Sequence, residues 1–178
     1  NPENKFLNFK DMSFKSKFGT SNQTAMSGIP NIDESRTPVG VGVIVEKGSP
    51  VTRNITTPNV DAVVVTLTWP ALQIFKKNGD IVGSEVEYRI QIQLDGGGFV
   101  DKIGGDDGVA KVKGRSADSY SRDHRIKVGS YTSSFDIRVI RKTNDSPKST
   151  KINAFAFTSY QEVFDVSNTY PDSAYVGL

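Results

Sequence analysis

The chain has 178 residues, 22 basic and 20 acidic, for a formal net charge of +2. That near-balance argues against a dedicated nucleic-acid or membrane-surface protein. With no cysteine, disulfides and thiolate chemistry are excluded. No apolar run approaches the roughly 20 residues that a membrane span needs, and the first residues show no signal-peptide pattern.

The opening stretch KFLNFKDMSFKSKFG interleaves Lys5, Lys10, Lys15 and Lys17 with Phe6, Phe9, Phe14 and Phe18. Aromatic rings among cations can stack bases and hold phosphates. Yet Phe14, Ser16 and Phe18 fall on one face and Lys15 and Lys17 on the other, as in an edge strand guarded by lysine. An edge strand is the expectation, and nucleic-acid binding is not. Residues 20–38 are polar, lack periodicity and carry Gly28, Pro30 and Pro38. The expected organisation is therefore a β-arm with an extended linker over 1–38, and a β-sandwich domain over 39–178.

Alternation governs the remainder. VGVGVIVEKG, around Val41 to Lys47, reads as a strand, and Val63, Val65, Leu67 and Trp69 repeat the period of two. Pro70 should end that strand or bulge it. After the turn KKNGD, Val86, Tyr88, Ile90, Ile92 and Leu94 take one face, with Glu85, Glu87, Arg89, Gln91, Gln93 and Asp95 on the other. DGGG at 95–98 and GGDDG at 104–108 are turn signals, and 104–123 reads as a mobile loop. Phe135, Ile137 and Val139 alternate again before the turn TNDSPKS, and KINAFAFTSYQEVFDV from Lys151 reads as strand. Tyr170 and Pro171 mark a turn into an exit strand. No convincing helical period occurs. The fold class is all-β, an antiparallel sandwich or a distorted barrel with an N-terminal arm.

The chemical candidates are weak. A phosphate loop needs its glycines between a strand and a helix, and the glycines of DGGGFV instead offer the positive φ angles of a hairpin turn. Asp101, Asp106 and Asp107 lie in one acidic glycine loop, but calcium takes six to eight oxygen ligands and the closing glutamate of an EF-hand is missing. The single histidine, His124, stands beside Asp123. Neighbours on a strand face opposite ways, so Asp123 is badly placed to orient it, and a surface position is expected. No G-x-S-x-G elbow occurs. No catalytic, cofactor-binding or metal-binding residue is assigned, and no enzyme activity or cofactor is expected.

Several strings in order resemble a known family. VGVGVIVEKGSPVTRNITTPNVDAVVVTLTWPALQ (39–73), GDIVGSEVEYRIQIQLDGGGFV (79–100), SYSRDHRIKV (119–128), FDIRVIRKTNDS (135–146) and NTYPDSAYVGL (168–178) are similar to elements of the central tail-tip, or host-specificity, protein of lambda-like siphophages. FKSKFGTSNQTAMSGIP (14–30) resembles an upstream element with a glycine and a glutamine at fixed spacing; 101–118 departs from the pattern. The resemblance implies a structural virion component, made in the host cytoplasm and placed at the tail tip. There the parent chain forms a trimer, joined to other tip proteins. It further implies a hub domain from the N-terminal half, or an insertion decorating the hub, with later domains reaching the host receptor. A start without methionine and the apolar close SAYVGL read as a piece of a longer protein. The alternative is a module whose loops near 104–118 recognise a host-surface glycan or protein.

Overall fold

The computed structural model describes residues 15–24, 26, 32–35, 37–166 and 170–177. Among them there is no helix. The strands are β1 (Lys15–Phe18), β2 (Ile32–Ser35), β3 (Val39–Ile44), β4 (Val51–Ile55), β5 (Ala62–Trp69), β6 (Gln73–Phe75), β7 (Ile81–Val82) and β8 (Ser84–Leu94). They continue with β9 (Val100–Asp101), β10 (Ala110–Gly114), β11 (Tyr120–Lys127), β12 (Phe135–Arg141), β13 (Lys151–Ile152), β14 (Ala156–Val166) and β15 (Ala174–Gly177). The chain divides into two compact units, one of residues 1–33 with 165–178 and one of residues 34–164.

The larger unit is built on two five-stranded antiparallel sheets. One runs β10-β8-β12-β4, with β9 also on β8; the other runs β11-β5-β14-β2, with β3 also on β14. Each sheet keeps two edges, so the arrangement is a sandwich and not a closed barrel. Alternation along the strands fills the space between the sheets. Val86, Tyr88, Ile90 and Ile92 of β8 join Ile137 and Val139 of β12 from one side; Val63, Val65, Leu67 and Trp69 of β5, with Phe157 of β14, join from the other. All are buried. Each large apolar side chain so buried contributes about 1.5–3 kcal/mol, which makes this face the main source of stability.

The register follows from that pattern. Ile137 lies opposite Ile92, and Val139 opposite Ile90. A slip of one residue would turn the whole apolar set of β8 toward solvent. β5 ends at Trp69, as Pro70 dictates. The Trp69 ring stacks on Phe155 at 5.4 Å between centroids, so one end of the core is closed by aromatic packing. A small third sheet, β13-β6-β7, stands apart from these two.

The hairpin expected at DGGG is present, with Ile92 opposite Val100 and Gln91 opposite Asp101. Its turn is tighter than three flexible glycines would suggest. Asp95 (φ +47°) and Gly96 (φ +73°) take the two left-handed positions, and Gly97 N–H closes on Leu94 O at 2.8 Å. Only one of the three glycines is therefore needed for its freedom. Two other expectations are corrected. The region read as a linker holds the strand β2. The region read as a mobile loop holds β10, and at Gly104 (φ +78°) an added Cβ would lie 2.3 Å from the Val109 backbone, so close packing replaces the expected slack.

Candidate functional site

His124 is not a surface residue. The register of β11 against β5 places it opposite Val65, and its ring is half-buried. Nε2 lies 2.9 Å from the hydroxyl of Tyr88 on the other sheet. Burial holds the Tyr88 hydroxyl above its usual pKa. Burial and the nearby Arg122 guanidinium hold the His124 imidazole below its usual value. The pair is thus a neutral bridge between sheets. Asp123 points the other way and accepts from the Thr66 hydroxyl at 2.7 Å, which leaves His124 without a carboxylate to orient it as a general base.

The acidic glycine loop is likewise occupied by its own chain. Asp101 receives Arg89 Nη1 at 3.0 Å and Gln91 Nε2 at 2.8 Å. Arg89 Nη2 donates to the Asp107 carbonyl at 2.9 Å, and Asp107 Oδ1 accepts from Val109 N–H at 3.0 Å. A guanidinium stands where a cation would have to bind, and no group of three or more possible metal ligands gathers among the described residues. Next along the same face, the side-chain oxygen Oε1 of Gln91 takes Arg138 Nη2 at 2.6 Å. The Arg138 guanidinium lies 3.5 Å over the Phe99 ring. This layer fixes the hairpin; it presents no nucleophile beside a base.

The smaller unit contains a different kind of feature. β1 and β15 pair antiparallel, with Ser16 opposite Val176 and Phe18 opposite Ala174. Opposed residues share a face, so Ser16, Phe18, Ala174 and Val176 lie together, and Phe18 and Val176 are 85% and 62% exposed. Lys15 and Lys17 take the other face, as the sequence implied; Lys17 Nζ donates to the Thr24 hydroxyl at 3.1 Å. Lys5, Lys10, Phe6, Phe9 and Phe14 lie outside the described residues.

Two residues lock this ribbon, one through its backbone and one through its side chain. Gly19 adopts φ +82°, and an added Cβ would sit 3.1 Å from Ala174 N. Gln23 accepts Gly19 N–H at 3.1 Å through Oε1. Its Nε2 donates to the carbonyls of Ser173, at 2.9 Å, and Tyr170. Tyr170 (φ +42°) and Asp172 (φ +59°) shape the turn that sends the chain into β15. The ribbon is thus made by the two outermost of the strings that resemble the tail-tip family, and its glycine and glutamine are the residues of the upstream element.

Residues 35–166 match the family described as "Tip attachment protein J, FNIII-A domain". The chain belongs to this family. It is 29% identical over 168 residues to the tip attachment protein J of Escherichia phage SECphi4, a match covering 94% of this chain and 14% of that protein. With the tip attachment protein J of Escherichia phage SECphi27 it shares 27% identity over 165 residues, covering 93% and 13%. The chain thus spans about one seventh of these relatives. Among solved structures, the receptor binding domain of the spike protein P1 from bacteriophage PM2 is similar with a TM-score of 0.41 and 11% identity, over 72% of this chain and 93% of that one; so distant a likeness carries no argument. The FNIII-A match takes in β3 to β14, the packed sandwich apart from most of its short edge strand β2, and leaves the β1–β15 ribbon outside it.

Proposed function

We propose that the chain is a structural module of a phage tail tip, a hub or insertion domain of a host-attachment protein, held among other tip proteins and other copies of its parent chain in a trimer. The observation that carries this reading is the FNIII-A family match over the sandwich. Three features support it. The sandwich is disulfide-free and packed through two complete apolar faces, which suits a part assembled in a reducing cytoplasm. The antiparallel pairing of β1 with β15 brings the entering and leaving chain together, the usual geometry of a domain inserted in a longer polypeptide. The apolar face of that ribbon, with Phe18 and Val176 exposed, is a surface for neighbouring parts of the tip.

No catalytic step is part of this proposal. Host-surface recognition through the loops near 104–118 is the weaker reading, because Asp101 and the Asp107 carbonyl in that region are engaged by Arg89. The test is immunogold labelling of particles carrying a protein with this sequence, using antibody raised against the 178-residue chain. Gold confined to the distal end of the tail is the expected result. Gold on the capsid or spread along the tail tube would overturn it.

A further inference from the structure

β10 stands at the end of its sheet, where it pairs with β8 alone. Among the described residues its other edge makes no backbone bond. A free edge of this kind is a template on which a further strand can pair. The register decides what the edge displays. Ala110 and Val112 lie opposite Tyr88 and Val86 and turn inward, whereas Lys111 and Lys113 lie opposite Glu87 and Glu85 on the solvent face. Lys111 Nζ is 2.9 Å from Glu87 Oε1. Lysine set against glutamate at every second residue is thus how β10 is already seated on β8.

The charge along this edge is concentrated. Lys111, Lys113 and Arg115 are the only three basic residues of the chain at successive spacings of two. Residues 110–127 hold six basic and two acidic residues, in a chain whose net charge is only +2. Beside the edge lies a cavity of about 290 Å³, lined by residues 111–116, Leu72, Tyr120 and Arg122, with no acidic residue among them. Arg122 lies opposite the buried Leu67 and so shares the inward face of β11. At Gly114 an added Cβ would meet nothing within 4 Å, so there is room here for incoming side chains. Lysines on an edge turn away apolar and basic strands; the same lysines favour an acidic one, through opposite charges across the pair.

We propose that the free edge of β10 takes an extended acidic segment of a neighbouring protein, with Asp or Glu at every second residue beside Lys111, Lys113 and Arg115 and apolar residues between them facing the cavity. This chain does not supply the segment, because its only acidic residues two apart are Glu85 and Glu87, and both lie within β8. The proposal deepens the tail-tip reading and rests on it only for the neighbour's origin. Binding by the isolated chain is tested without any particle, so either reading can fail alone.

The probe is acetyl-Thr-Glu-Val-Glu-Val-Glu-Thr-amide, titrated into the ¹⁵N-labelled 178-residue chain and followed by NMR. Saturable shifts centred on residues 110–115 are expected, with slower hydrogen exchange at alternate amides of β10. Lys113→Gln and Arg115→Gln, both at exposed side chains, should each weaken binding about threefold, the effect of one cross-strand charge pair. N-methylation of the peptide at alternate residues separates strand pairing from charge alone. A strand turns successive N–H groups to opposite edges, so one alternate set should abolish binding and the other should leave it. The proposal is overturned if the peptide does not bind, or if both methylated sets bind alike. It is equally overturned if inorganic phosphate or a shuffled peptide with its glutamates adjacent shifts the same amides as strongly, or if both variants bind as tightly as the parent chain.

Discussion

The side-chain amide of Gln23 donates to the carbonyl of Ser173 at 2.9 Å, joining residues 150 positions apart in sequence. Gln23 also receives Gly19 N–H, so one side chain serves the start and the end of the ribbon. A two-stranded ribbon is marginal alone, which makes such cross-bracing decisive for its order.

Gln23→Ala removes this brace and leaves the Gly19 N–H and two carbonyls without their partner. A local loss of about 2 kcal/mol is expected, since each stranded buried group costs roughly 1–3 kcal/mol. Hydrogen exchange should show faster opening at β1 and β15, while β5, β8 and β12 keep their protection. Equal loss of protection in both units would refute the assignment.

The Tyr88–His124 bridge makes stability depend on pH. The folded-state pKa of His124 is depressed by burial and by Arg122, so the unfolded chain takes up the proton first as pH falls. The contribution of His124 is intact above the ordinary value of 6.5 and drains as pH falls toward the folded-state value. Urea unfolding of His124→Gln, set against the parent chain, should show a flatter pH dependence just below pH 6.5. Tyr88→Phe should cost about 1 kcal/mol at pH 7, the worth of one hydrogen bond. Parallel curves for the parent and His124→Gln would contradict the bridge.

Asp95 accepts the N–H groups of Ser133 at 2.8 Å and Thr132 at 2.8 Å, together with the Ser133 hydroxyl. The Ser133 N–H, followed by that of Thr132, holds its carboxyl well below the usual range. Its stabilising effect is complete above the ordinary value of 3.8 and is lost as pH falls through the depressed value. Asp95→Asn keeps a residue type that tolerates the left-handed backbone but loses the charge. It should be less stable than the parent at neutral pH, with the gap closing in strong acid. A carboxyl titration of Asp95 by ¹³C NMR at the ordinary midpoint would count against the cap.

Gly104→Ala and Gly105→Ala should behave oppositely although they are neighbours. At Gly104 a Cβ meets the Val109 backbone at 2.3 Å with φ at +78°, whereas at Gly105 nothing lies within 4 Å. The first change should cost upwards of about 2 kcal/mol, from backbone strain and clash together. The second should stay within about 1 kcal/mol of the parent. Thermal unfolding of the two variants checks this, and matching midpoints would mean that the loop is open rather than closely packed.

The period-two pattern made the core legible in advance, because the faces of β5, β8 and β12 are long enough for alternation to be unambiguous. The hairpin at DGGG was legible too, although the burden fell on Asp95 and Gly96 rather than on the glycine run. β2 was missed because IDES is short, polar and flanked by turn residues, and its pairing with β14 is a tertiary fact. His124 was misplaced for a related reason. At a sheet edge the inward face is still half-covered, and only the fold shows that Tyr88 stands opposite. Gln23 carried a signal in the resemblance alone, since its partners lie at the far end of the sequence.

The register of β1 and β15 has a mechanical consequence. Lys15 lies opposite Gly177, so a pull applied at those two residues loads the pair at one end and opens it like a zip, one hydrogen bond at a time. Such a joint yields at low force and closes again when slack returns. Until it has parted, the load does not pass into the sandwich.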